Sequence, residues 1–168
     1  MSKTSKITWK PGGGATWRQK LEQQHPSHGK IVTVPPRMQK SFGTGTMLIP
    51  RPLDVDAVMR SVRKGRLMTS SQVRDRLAKQ AHADSACPLT TGIFMRVVAE
   101  AAEEDARAGR QRVTPYWRTI KDNGALNEKF PGGAAAQAAR LRAEGFAIEA
   151  GRGKQPPRIR EFERYLVK

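Results

Sequence analysis

One cysteine, three histidines and two tyrosines are the side chains of this chain best suited to nucleophilic or acid–base chemistry. Their spacing supports little of it. Cys87 lies in the turn Asp84-Ser85-Ala86-Cys87-Pro88 at the start of a helix, where a thiol ionises more readily. Only His82 is near it in sequence, and Cys87 reads first as a small buried residue in a tight turn. His25 and His28 have no ligand spacing around them, so neither a metal site nor a cofactor is expected. The richer segment is Thr114-Pro115-Tyr116-Trp117-Arg118, followed by Asp122-Asn123-Gly124 and Phe130-Pro131-Gly132-Gly133. A phenol with a pKa of about 10 is a weak nucleophile at neutral pH, and an indole N–H only donates. Tyr116 and Trp117 therefore make no nucleophile–base pair. They can stack on a nucleobase, or they can fill a site.

The order Pro115, Arg118, Ile120, Gly124, Gly132-Gly133, Gln137 and Glu144-Gly145 resembles the reactive-site segment of the alkylguanine-DNA alkyltransferases. In that family the segment reads Pro-Cys-His-Arg, and the cysteine takes an alkyl group from guanine. Val62, Gly65, Thr69, Gln72-Val73 and Thr91-Gly92 extend the likeness, which covers about residues 55–146. Tyr116 stands at the place of the cysteine and Trp117 at that of the histidine. In the alkyltransferase-like proteins Trp replaces the cysteine, and they bind alkylated DNA without repairing it. They keep the histidine, so this chain departs from them as well.

The resemblance implies a DNA-binding protein that is not an enzyme and meets duplex DNA through the minor groove, with RNA left open. Its contacts would come from Ser70 on the second helix and from Leu89, Thr90 and Arg96 on the recognition helix. Around the former reactive site they would come from Tyr116, Trp117, Arg118, Asn123, Phe130, Gly132 and Gly133. Leu89 takes the place of the family's intercalating arginine, and an apolar wedge can also part base steps. Two outcomes follow for the site. Tyr116 and Trp117 line a pocket that accepts a flipped alkylated guanine, or they plug it and leave a lesion-independent architectural or regulatory module.

Positioning these residues falls to short elements in a basic chain. The 168 residues hold 31 Lys and Arg against 15 Asp and Glu, a formal charge of +16, which suits a polyanionic partner. Residues 1–45 hold 8 of the basic residues and one Glu, and they are broken by Pro11-Gly12-Gly13-Gly14, Pro26 and Pro35-Pro36. They read as a basic, largely disordered arm. Trp9 and Trp17 are its exceptions, either docked on the domain or stacked on bases. No apolar run approaches a membrane span, and a reducing cytosol is the expected setting, with nucleoid association in a bacterium.

The remainder, 46–168, reads as mainly α with small β, a winged helix-turn-helix domain with a C-terminal hairpin extension. A first helix after Asp54 or Asp56 buries Val55, Val58, Met59 and Val62. A second starts after Thr69, with Gln72 at the capping-box position. The third, about Thr91 to Ala108, turns Ile93, Val97, Val98, Ala101 and Ala102 inward. Glu103-Glu104-Asp105 reads as its solvated end. A helix over Gly133–Glu144 and a hairpin around Gly151-Arg152-Gly153-Lys154 complete the domain.

Overall fold

Thr69 closes a reciprocal cap with Gln72, and this fixes the start of the central helix pair. Its hydroxyl accepts from the Gln72 amide while the Gln72 side chain accepts from the Thr69 amide. The computed structural model describes residues 14–168. In chain order these form α1 (Trp17–Glu22), β1 (Ile31–Thr33), α2 (Pro36–Phe42), β2 (Thr46–Leu48) and α3 (Pro52–Arg60). Then come β3 (Met68–Thr69), α4 (Ser70–Gln80), β4 (Ser85–Ala86) and α5 (Pro88–Arg107). A 3-10 turn over Tyr116–Arg118 leads into β5 (Thr119–Ile120), followed by α6 (Gly133–Ala143), β6 (Ile148–Glu149) and β7 (Arg158–Ile159).

The strands make three small sheets. β2 pairs antiparallel with β1 and parallel with β4, β3 pairs parallel with β5, and β6 with β7 forms the antiparallel hairpin. The fold is therefore mainly helical, with α4 and α5 as the helix-turn-helix and β6–β7 as the wing. One core joins Val55, Met59, Leu67, Val73, Leu77, Phe94, Val98, Tyr116 and Leu141. Each such side chain adds about 1.5–3 kcal/mol on burial. Gly124 ends the turn after β5 at φ +84, and a Cβ there would collide with the Phe162 ring.

Two expectations need correction. Residues 14–45, read as part of a largely disordered arm, carry α1, β1 and α2, and α1 lies on α5 with Leu21 buried. The cause is tertiary. The amides of Trp17 and Arg18 donate to the Glu104 carboxylate at 3.0 and 3.1 Å, and Arg18 is bonded to Asp105. Trp17 packs against the core, and the Lys20 ammonium lies 4.3 Å from its ring centre, which favours docking over base stacking. Trp9 lies outside the described residues. The acidic run is accordingly the seat of α1 and not a solvated helix end.

The second correction concerns α5. Pro88 at its first turn starts the helix three residues earlier than the apolar pattern suggests. Phe94 and Met95 take the inner face, and Ile93 is turned outward. No helix among the described residues is long and apolar enough to cross a membrane.

Candidate nucleic-acid interface

Tyr116, Trp117 and Phe130 are brought together, as the spacing suggests, and all three are buried. The Tyr116 ring meets Trp117 and Phe130 edge-on, with centroids 5.4 Å away in each case. Its hydroxyl donates to Glu103 Oε1 at 2.8 Å, and Arg140 donates to the same oxygen at 2.7 Å. Burial, then the bond to the Glu103 carboxylate, pushes the Tyr116 phenol well above its usual value. Tyr116 is thus held as a neutral donor, far from a phenolate nucleophile.

Trp117 is held as firmly. Its indole N–H donates to Glu144 Oε1 at 3.0 Å, and the Arg140 guanidinium lies 4.5 Å from the ring centre. Arg118 grips the same Glu144 through Nε and Nη2, and its Nη1 donates to the Val62 carbonyl at 2.7 Å. Burial raises the Glu144 carboxyl, but the bonds from Arg118 and Trp117 outweigh it and hold the group below its ordinary value. Gln137, fully buried, donates to the carbonyls of Trp117 and Thr119 and accepts from the Asn127 amide at 2.7 Å. It ties the segment from Trp117 to Thr119 to the loop before Gly132-Gly133. Both glycines are left-handed, at φ +73 and +69, and Gly132 caps α6.

Beside the Tyr116 edge runs an open groove of about 530 Å³ between α5 and α6, bordered by Arg107, Pro131, Gly132, Ala136 and Arg140. Tyr116 borders the groove although its side chain is packed in the core, and Trp117 and Phe130 do not line it.

The residues expected on α5 divide. Leu89 is 71% exposed, and Gly92, Ile93 and Arg96 follow it at helical spacing on the same outward face. Thr90 instead donates to the buried Cys87 sulfur at 3.3 Å, closing the first turn. Arg96 is half-buried with Glu100 at 3.8 Å. Ser70 donates to the Ile120 carbonyl, and the neighbouring Ser71 amide and hydroxyl are taken by Asp122. The N-terminus of α4 therefore already holds a carboxylate. Asn123 is exposed, and its side chain accepts from the Ala125 amide to shape the turn. Among the described residues no group of three or more His, Cys, Asp or Glu gathers as a metal site.

Sequence reading missed Glu103, Arg140 and the outward Ile93. Glu144 and Gln137 were visible only as members of a skeleton, with no partner assigned.

This architecture is a mainly helical helix-turn-helix domain with small sheets. A crystal structure of S. pombe ATL in complex with DNA aligns with a TM-score of 0.50 at 16% identity, over 70% of this chain and 94% of that one. A structure of S. pombe Atl1 in complex with damaged DNA containing O6-carboxymethylguanine gives 0.48 at 15% identity over the same shares. No family model and no curated protein sequence matches the chain. At 16% identity the likeness is one of fold alone: this chain shares the fold of S. pombe ATL.

Proposed function

We propose that this protein binds duplex DNA without acting on it chemically, and that α5 enters the minor groove. The observation that carries this reading is the outward face of Leu89, Gly92, Ile93 and Arg96 on the second helix of a helix-turn-helix. Residues 88–99 contain no acid, and the chain carries a formal charge of +16. A large apolar side chain exposed there has no core to serve. Minor-groove binders use such wedges to part base steps, whereas major-groove readers rely on polar side chains. The fold shared with an ATL that was crystallised with DNA supports the same partner.

The burial of Tyr116, Trp117 and Phe130 favours a closed site, hence binding that is indifferent to alkylation. A second reading, lesion recognition, is favoured by the open groove beside Tyr116 and Gly132. Fluorescence titration of a 20-base-pair duplex, plain or carrying one O6-alkylguanine, separates the two. Equal affinities and a log K that falls linearly with log salt are expected. A tenfold preference for the alkylated duplex would replace the closed-site reading with lesion recognition. Absence of binding at low salt would overturn the DNA-binding proposal itself.

A further inference from the structure

Residues 23–53 contain four Lys or Arg and no Asp or Glu, and the fold lays this stretch against the start of α5. β1 is the edge of its sheet, β2 is central, and β4 runs directly into Cys87, the N-cap of α5. Val34 precedes α2 and Met38 lies within it, and both pack in one small cluster with Met47 and Cys87. The Cys87 amide also donates to the Leu48 carbonyl at 2.8 Å. These contacts fix α2 beside the turn that carries Leu89.

Lys30, Arg37 and Lys40 are exposed and hold no ion pair among the described residues. The acid just before α5, Asp84, is engaged by the amide and hydroxyl of Thr46 at 2.8 and 3.0 Å. All three residues of β1 are exposed, with Ile31 at 46%, and Phe42 at the end of α2 is exposed as well. A three-residue edge strand next to a lysine is too short and too charged to template pairing with another strand. A stretch with four cations and no acid of its own, bordered by an Asp84 carboxylate that is tied to Thr46, is instead complementary to the phosphate backbone.

We infer that the β1–α2 unit, residues 30–42, is a second DNA-contacting element that grips the phosphates flanking the groove entered by α5. Lys30, Arg37 and Lys40 are its cations. This rests on the reading of α5 given above. The unit sets position and affinity and carries no sequence information, as phosphate contacts do.

The test compares the full chain with Lys30→Ala/Arg37→Ala/Lys40→Ala and with Leu89→Glu on a plain duplex, with circular dichroism confirming the fold. Each lost phosphate contact lowers the slope of log K against log salt by about 0.9, so the triple variant should lose about 2–3 from that slope. Its footprint should also shorten at one end. The charge-preserving variant Lys30→Arg/Arg37→Lys/Lys40→Arg should keep the parent slope. An unchanged slope and footprint in the alanine variant, while Leu89→Glu still loses affinity, would overturn this inference alone. A parent chain that binds no duplex would overturn it together with the reading of α5. A mass that rises with protein concentration and falls on Ile31→Glu would assign the surface to a second copy of the chain and overturn it too.

Discussion

In the first three turns of α5, Leu89, Gly92, Ile93 and Arg96 face outward and no acid interrupts residues 88–99. In its last two turns, Glu103, Glu104 and Asp105 each hold another part of the chain, the last two both holding α1. Glu103 receives the Tyr116 hydroxyl and Arg140, Glu104 receives the first amides of α1, and Asp105 is bonded to Arg18. One helix thus presents at one end and anchors at the other. The division follows from charge. Carboxylates would repel phosphate at the presenting end, whereas at the anchoring end they satisfy donors that would otherwise be buried alone. Stability and binding should therefore respond to different residues of the same helix.

The largest effect is expected at the anchoring end. Tyr116→Ala removes a fully buried ring from between Trp117 and Phe130 and should cost about 3–5 kcal/mol, read from the urea midpoint. A cost below about 1 kcal/mol would mean that the ring fills no essential space, and the closed-site reading would fail. Asp105→Ala comes next. It strips Arg18 of its nearer carboxylate, leaving Glu22 at 3.7 Å, and because that guanidinium is partly exposed the loss should be about 2 kcal/mol. Protease nicking should then begin around α1, whose docking depends on this contact. The presenting end should behave in the opposite way. Leu89→Glu should leave stability within about 0.5 kcal/mol, since the side chain has little to lose. It should weaken duplex binding by about 1–3 kcal/mol, the scale of one lost base-level contact. A large stability loss with unchanged binding would invert the comparison.

How far the sequence disclosed this division depends on the range of the interactions involved. The start of α4 was readable because Thr69 and Gln72 are three residues apart and cap each other. The turn at Asp122-Asn123-Gly124 and the wing were readable for the same local reason. Ordering of residues 14–45 was not, because α1 is held by carboxylates 86 and 87 positions away. Ile93 was placed inward because it lies four residues before the buried Val97, a step that fits the helical period as well as the step from Phe94 to Val97 or Val98. Only packing against α1 and α3 chooses between them. The sequence located Tyr116 and Trp117 side by side and showed that they make no nucleophile–base pair. Whether the rings open or close the site depends on Glu103, Arg140 and Glu144, which arrive from two other helical segments.

The smallest effect sharpens the comparison through pH. Glu144, which ends α6 and holds Trp117 and Arg118 beside the anchoring end, and Asp84, four residues before α5, are both held below the ordinary carboxylate range, for different reasons. At Glu144, burial works against ionisation but is outweighed by Arg118 and the Trp117 N–H. At Asp84, the Thr46 amide and hydroxyl act on a carboxylate that is fully in water. A carboxyl whose folded pKa is depressed stabilises the fold at and above its ordinary range, and that contribution is lost as pH falls through the folded value. Both groups thus tilt the acid limb of the stability curve in the same direction. Water screens the Asp84 bonds, so Asp84→Asn should leave that limb nearly unchanged. Glu144→Gln removes a carboxylate shared by a buried fork and an indole, and it should lower stability near neutral pH while flattening the loss below it. The measurement is the urea midpoint followed from pH 7 downward in each variant. Equal flattening by the two substitutions would mean that the anchoring end has no privileged share of the electrostatic stability.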